Sequence, residues 1–130
     1  MVKNFRDDLV YPELSYKIVG ILFDVYNKLG YGYQEKHYEK AVALAFNSAG
    51  LKYKEQLPVP LNFDGKNIGK YFIDLLVEDK IVVELKRGER VAKGNIDQIL
   101  NYLKTTRLQL GILAQFTSNG VKFRRIININ

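Results

Sequence analysis

Gly69-Lys-Tyr-Phe-Ile-Asp74-Leu-Leu-Val77, Glu78-Asp79-Lys80 and Ile81-Val-Val-Glu84-Leu-Lys86-Arg87 run consecutively, and the fold is read from them first. Two apolar runs separated by a short polar turn predict an antiparallel hairpin. With the turn centred on Asp79, Val77 faces Ile81 and Asp74 faces Glu84. Directly opposed side chains share one face, with Cβ atoms about 4.5–5.5 Å apart. Two carboxylates placed so, in the middle of apolar strands, repel each other unless a cation lies between them. Lys86 falls on the same face as Glu84 by the two-residue period. An ammonium beside a metal-bound carboxylate pair can orient a water and offset charge on a phosphorus oxyanion. Taken alone, Glu-x-Lys also describes an ordinary salt-bridged strand, and a two-residue turn would shift the pairing.

Outward from this hairpin the periodicity changes to that of helices and strands in turn. Helical spacing of Leu14, Ile18, Ile21, Leu22, Val25 and Leu29 predicts a helix over 14–29, ended by Gly30. Val19, Phe23 and Tyr26 give it a second apolar edge, so it is expected to be buried on two sides or to meet a partner subunit. A second helix is predicted over 34–49, closed by Gly50. Strands follow at 52–63, 69–77 and 81–87, with Asp64-Gly65 as a hairpin turn and Pro58 and Pro60 marking an edge. A third helix over 95–105 carries the stripe Ile96, Ile99, Leu100 and Leu103. Strands at 108–114 and 121–127 finish the chain around the turn Thr117–Gly120. This order predicts an α/β fold with a mixed sheet, an antiparallel meander first and a helical crossover to the fourth strand.

The 130 residues favour one domain, 1–130, and 47% hydrophobic content supplies a core without staples. Absence of cysteine excludes disulfides, thiolate nucleophiles and cysteine-rich zinc sites, and one histidine, His37, excludes a multi-histidine centre. A bound metal must then use oxygen ligands, which points to Mg²⁺, Mn²⁺ or Ca²⁺. No segment approaches a membrane span and Met1–Pro12 has no signal-peptide core, so a cytoplasmic protein without membrane contact is expected. The net charge of +6 lies wholly in residues 81–130, which hold 9 Lys/Arg against 3 acids. A one-sided basic field suits a polyanion such as nucleic acid, although a basic solvated surface needs no partner.

Other candidates are weaker in isolation. Glu35 lies on the stripe of Tyr38, Val42, Ala45, Phe46 and Ala49 and is expected to point inward, although a carboxylate in a first helical turn also simply favours the helix dipole. Gln98 and Tyr102, four apart, share a helix face and could hold a phosphate or the surroundings of Lys86. His37 is read as a surface residue. Gln56, on the first strand, is a further candidate for the cleft.

Gly32-Tyr-Gln-Glu35-Lys-His-Tyr38 resembles the signature of the GxxExxY protein family. Lys54-Glu-Gln56, Tyr71–Val77, Val83-Glu84-Leu-Lys86, Gln98–Lys104, Leu110-Gly-Ile-Leu and Lys122-Phe-Arg-Arg-Ile resemble it in the same order, over about residues 11–128. That family is similar to the PD-(D/E)xK nuclease superfamily, in particular its RecB-type and lambda-exonuclease-like members. The resemblance implies a restriction-endonuclease-like αβββαβ core with an extra N-terminal helix. It implies Asp74, Glu84, Lys86 and Glu35 as catalytic residues, and Gln98 and Tyr102 as a Gln-x-x-x-Tyr motif. Ile73 stands where the superfamily's name has proline, a position at which many branches vary.

The implied activity is Mg²⁺- or Mn²⁺-dependent hydrolysis of phosphodiester bonds in nucleic acid, DNA being the expected polymer. Asp74 and Glu84, with Glu35 nearby and the Leu85 carbonyl, would supply the metal ligands. Lys93, Lys104, Arg107 and Arg124 would grip the backbone without reading sequence. Two other readings are a catalytically inactive nuclease-fold module that binds nucleic acid, and an interaction domain that dimerises through the first helix. The chain shows no separate arm or zinc module, so a partner or homodimer is expected to direct it.

Overall fold

Leu75 pairs with Val83, Leu76 with Val82 and Val77 with Ile81, so the central hairpin adopts the register centred on Asp79. Its turn puts Glu78 and Asp79 at φ of 54° and 56°, a conformation that non-glycine residues adopt rarely. Glu78 is held there from both ends of its residue. Its N–H donates to the Lys52 carbonyl at 2.8 Å, and its carboxylate accepts from the Lys52 N–H at 2.7 Å.

The structure, a computed structural model, describes residues 10–128. The outer ends of the expected 1–130 domain, with most of Met1–Pro12, lie outside the described residues. Helices α1 (Pro12–Leu29) and α2 (Glu35–Ser48) precede strands β1 (Tyr53–Phe63), β2 (Lys66–Val77) and β3 (Ile81–Arg87). Helix α3 (Lys93–Thr106) then crosses to β4 (Leu110–Thr117), and β5 (Gly120–Ile127) ends the fold. The sheet order is β1-β2-β3-β4-β5, antiparallel except for the parallel β3–β4 pair. This is the expected α/β architecture, a five-stranded mixed sheet flanked by helices.

Alternation along β3 separates two apolar layers. Ile81, Val83 and Leu85 pack with Ile18, Leu22, Tyr38, Val42 and Phe46 of α1 and α2. Val82 packs with Ile99 and Leu103 of α3 on the other side. Each such buried aliphatic side chain contributes about 1.5–3 kcal/mol. Gly111 on β4 lets α3 come this close, because a Cβ there would lie 2.6 Å from the Ile99 γ2 methyl.

Several boundaries differ from expectation for local reasons. Asp64 and Gly65 both have positive φ, 50° and 75°, a tight turn that starts pairing at once, with Phe63 opposite Lys66. Strand β2 therefore begins three residues earlier than its apolar pattern. Strand β4 begins at Leu110 because Arg107 leaves α3 in a left-handed conformation, and it continues past the polar Gln115 to Thr117. On α2 the buried alanine is Ala43, whereas Ala45 and Ala49 are only partly buried. On α3 Ile96 and Leu100 are likewise peripheral. The second edge of α1 is engaged within the chain: Tyr26 stacks on Phe116, and Phe23 meets Phe123 edge-on.

One departure shapes the site. Leu75 and Val77 pack with α1 and α2, so Ile73 should do so too, yet it packs with Val59 and Ile99 on the α3 side. Its partner Leu57 makes the same switch. Between them Gln56, opposite Asp74, has φ of 52°. The β1–β2 pair changes face at Asp74.

Gly111→Ala is expected to destabilise the fold by about 1–3 kcal/mol, because the stiff β-branched Ile99 cannot yield without disturbing the α3 layer. A urea midpoint unchanged from wild type would show that α3 rides on β4 less closely than described.

Candidate active site

Regular pairing of β2 with β3 stops one step beyond Leu75 and Val83, and the carboxylates take over. The Asp74 N–H donates to Glu84 Oε1 at 2.9 Å, and the Leu85 N–H donates to Asp74 Oδ2 at 2.8 Å. Each carboxylate thus satisfies a backbone donor of the opposite strand that the parting ladder would otherwise orphan. Glu84 is only 5% exposed. Asp74 keeps its other oxygen for the Gln56 amide, 3.3 Å away.

Burial pushes Glu84 up to about 8, and the neighbouring Asp74 charge adds to the effect. Burial raises Asp74 as well, against the opposing pull of the Leu85 N–H. Lys86 lies close enough to favour the charged form of both. The expected juxtaposition of Asp74, Glu84 and Lys86 is therefore what the strands produce.

Glu35 reaches the same end of β3 from the first turn of α2. Its Oε1 is 3.9 Å from Lys86 Nζ, and its Oε2 accepts from the Arg87 N–H at 3.2 Å. Tyr38 explains this placement. Fully buried, it stacks on Phe116 with centroids 4.2 Å apart and donates to the Gly30 carbonyl at 2.6 Å. That fixes the start of α2 beneath the sheet. Glu35 does not point inward as expected: its side chain is 45% exposed, because no preceding helical turn covers it.

Glu39 was not among the expected residues, yet it joins the cluster. Gln56 Nε2 bridges it, donating to Glu39 Oε1 at 2.7 Å as well as to Asp74. Burial pushes Glu39 up to about 7, with the charge of Asp74 adding and the Gln56 amide opposing. The i, i+4 spacing from Glu35 carried the signal, since residues so spaced share a helix face. A groove of ≈ 870 Å³ between α2 and β1, lined by Lys36, His37, Lys40 and Tyr53, ends at Glu39 and Gln56. His37 lies at the surface, as read from its position.

Gln98 and Tyr102 lie on α3 towards β1 and β2. The Tyr71 hydroxyl donates to the Gln98 backbone carbonyl at 3.2 Å, and partial burial raises the Tyr102 phenol, with the Lys54 charge opposing. Among the described residues no hydrogen bond joins either side chain to Asp74, Glu84 or Lys86. Lys93 is ion-paired with Asp97 at 3.0 Å. Lys104 and Arg107 are exposed at the end of α3, and Arg124 is exposed on β5, two strands from β3.

Among the described residues, no group of three or more His, Cys, Asp or Glu side chains is arranged to hold a metal ion. What is present is an oxygen-only pair, Asp74 and Glu84, with the Leu85 carbonyl on the same strand. Such donors suit a hard divalent cation, and crowding that keeps protons on buried carboxyls is the repulsion a dication relieves. The residues fit such an ion, with two carboxylates rather than three as its anchors.

Among the described residues no helix is long and apolar enough to cross a membrane. No curated protein shows significant sequence similarity to the chain. Among solved structures, "Crystal structure of SSO0001" is similar at a TM-score of 0.45 and 16% identity, covering 88% of this chain and 77% of that one. The PD-(D/E)XK nuclease superfamily matches residues 12–126, a span that holds the hairpin, both flanking helix layers and every acidic residue of the cluster. The chain belongs to the PD-(D/E)XK nuclease superfamily.

Proposed function

We propose that this protein is a nuclease that hydrolyses phosphodiester bonds of DNA, with Mg²⁺ or Mn²⁺ anchored by Asp74 and Glu84. The observation that carries this reading is the crossed pair of carboxylates, Glu84 buried and Asp74 half-buried, with Lys86 beside them, in a chain of a nuclease superfamily. Asp74, Glu84 and the Leu85 carbonyl would hold the cation, which would supply Lewis acidity and a lowered pKa for a bound water.

The chain's own groups do the rest. Hydrogen bonds from backbone N–H groups of the opposite strands lock both carboxylates in place, so little reorganisation accompanies reaction. Lys86 Nζ holds the attacking water by hydrogen bonding and offsets negative charge as it builds on the phosphoryl oxygens. Glu35 orients Lys86 from the far side and is a positioning residue in this arrangement. Gln56 and Glu39 fix the free edge of Asp74. Gln98, Tyr102, Lys93, Lys104, Arg107 and Arg124 are assigned to the polymer's path, where they hold phosphates without reading bases.

Purified protein is expected to cleave DNA in Mn²⁺, with Asp74→Ala and Lys86→Ala each lowering the rate by about a hundredfold or more. Circular dichroism should show both variants folded. Cleavage that survives both substitutions would place the chemistry elsewhere, and salt-sensitive binding without turnover would make the domain a non-catalytic binder.

Glu84 also predicts a pH effect. In cation-free buffer folded Glu84 keeps its proton to about pH 8, whereas the unfolded chain releases it near 4.5. The folded state thus binds more protons across that window, and stability falls as pH rises through it. Glu84→Gln removes the charge and keeps an acceptor for the Asp74 N–H. It should raise cation-free stability at pH 8 by on the order of 1–2 kcal/mol, with the gain vanishing towards pH 4.5. Thermal melts in chelator at both ends of the window test this; an equal gain at both would assign the effect to packing. Added Mn²⁺ should stabilise wild type and leave Glu84→Gln unmoved.

A further inference from the structure

Beyond Leu57 and Ile73, β1 and β2 continue as a two-stranded ribbon, because β2 pairs with β3 only over Leu75–Val77. Every residue from 61 to 68 is exposed. About seven residues separate Ile73 from the Asp64-Gly65 turn, about 23 Å at about 3.3 Å per residue; the Val59–Tyr71 pair still rests on α3, so about the outer 16 Å projects. Asp74 sits at its base. The change of face at Gln56 and Asp74 gives the ribbon a direction of its own relative to the sheet.

The ribbon is built rather than loose. A bulge lies between Leu61 and Asn62, and the Asn67 side chain accepts from the Gly69 N–H at 3.1 Å. Its surface interleaves apolar groups with cations. Leu61, Phe63, Ile68 and Phe72 are 43%, 66%, 62% and 44% exposed. Lys70 Nζ lies 5.6 Å from the centre of the Phe72 ring. Lys66 and Lys70 face a single acid, Asp64, between residues 57 and 73.

We propose that this ribbon is a nucleic-acid-binding arm, in which Phe63 and Ile68 press against bases while Lys66 and Lys70 meet phosphates. The inference rests on the nuclease reading of the carboxylate pair. Apolar wedges at a ribbon tip and aromatic rings flanked by cations are what base stacking with backbone charge requires. A second copy of the arm would set Lys66 and Lys70 against themselves, whereas a polyanion supplies the opposite charge. At about 3.4 Å per nucleotide, the arm reaches about seven nucleotides from the phosphate held at Asp74. The chain thus carries an arm that its sequence does not announce.

Binding of fluorescent DNA duplexes in Ca²⁺, read by anisotropy, tests the proposal. Phe63→Ala/Ile68→Ala should lose about tenfold in affinity without changing the salt slope, and Lys66→Ala/Lys70→Ala should lower that slope by about 2. Wild type should bind more weakly when fewer than about four nucleotides remain on the arm's side of the cleavage point. The Phe63→Ala/Ile68→Ala variant should be indifferent to that length. Circular dichroism checks that these surface variants fold. Unchanged affinity in both variants, with wild-type binding and cleavage intact, overturns the arm and leaves the nuclease reading standing. Unchanged DNA affinity with a halved mass by light scattering makes the ribbon a self-association surface instead. Wild type that neither binds nor cleaves DNA removes both proposals together.

Discussion

Two exchanged hydrogen bonds hold the centre of this protein together: a backbone N–H of β2 to a β3 carboxylate, and a backbone N–H of β3 to a β2 carboxylate. They occur where the strands begin to part. A sheet that ended there with apolar side chains would leave buried donors unpaired, at a cost of about 1–3 kcal/mol each. Asp74 and Glu84 close the ladder with their side chains. The same step brings two carboxyls together at a partly buried point, where burial disfavours their charged forms, and Lys86, two residues along from Glu84, opposes part of that effect.

Helix α2 reaches this point by an aromatic anchor rather than by a charge. Tyr38 is fully buried between Phe116 and the Gly30 carbonyl, so the tyrosine of the Gly-x-x-Glu-x-x-Tyr signature holds the scaffold. Its consequence lies one turn earlier, where Glu35 meets Lys86 and the Arg87 N–H. The glycine of the signature, Gly32, has φ of 114°, a conformation open to few other residues. Gly32 turns the chain, Tyr38 locks the helix, and Glu35 is the group so delivered.

Much of this was legible in the chain itself. The register of β2 against β3 followed from a three-residue turn between two apolar runs, and with it the meeting of Asp74 and Glu84. Helix and strand order followed from periodicity. Legibility failed where backbone conformation overrode pattern. Alternation placed Ile73 beside Leu75, but the left-handed Gln56 turned the β1–β2 pair over. The Asp64-Gly65 turn was plain, yet nothing in Lys66-Asn-Ile68 announced that pairing would run to the turn as an exposed two-stranded ribbon. Glu39 was hidden differently. Its spacing from Glu35 was visible, but its link to Asp74 passes through the Gln56 amide, and no one-dimensional pattern reports a bridge between a helix and a distant strand.

The arrangement also shows why a cluster that weakens the apo fold can persist in a well-packed sheet. Glu84, Asp74 and Glu39 are all raised by burial, and a carboxyl raised above its unfolded value subtracts stability as pH rises towards neutrality. Around them β3 is apolar on both faces, with Ile81, Val82, Val83 and Leu85 all buried. Two side-chain layers of aliphatic and aromatic residues offset the local penalty. Replacement of the acids by apolar residues would ease the crowding and, on the nuclease reading, remove the carboxylates that hold the cation. The site keeps two crowded carboxyls whose repulsion a divalent cation would relieve, and hydrogen bonds from the facing strands hold them in one place.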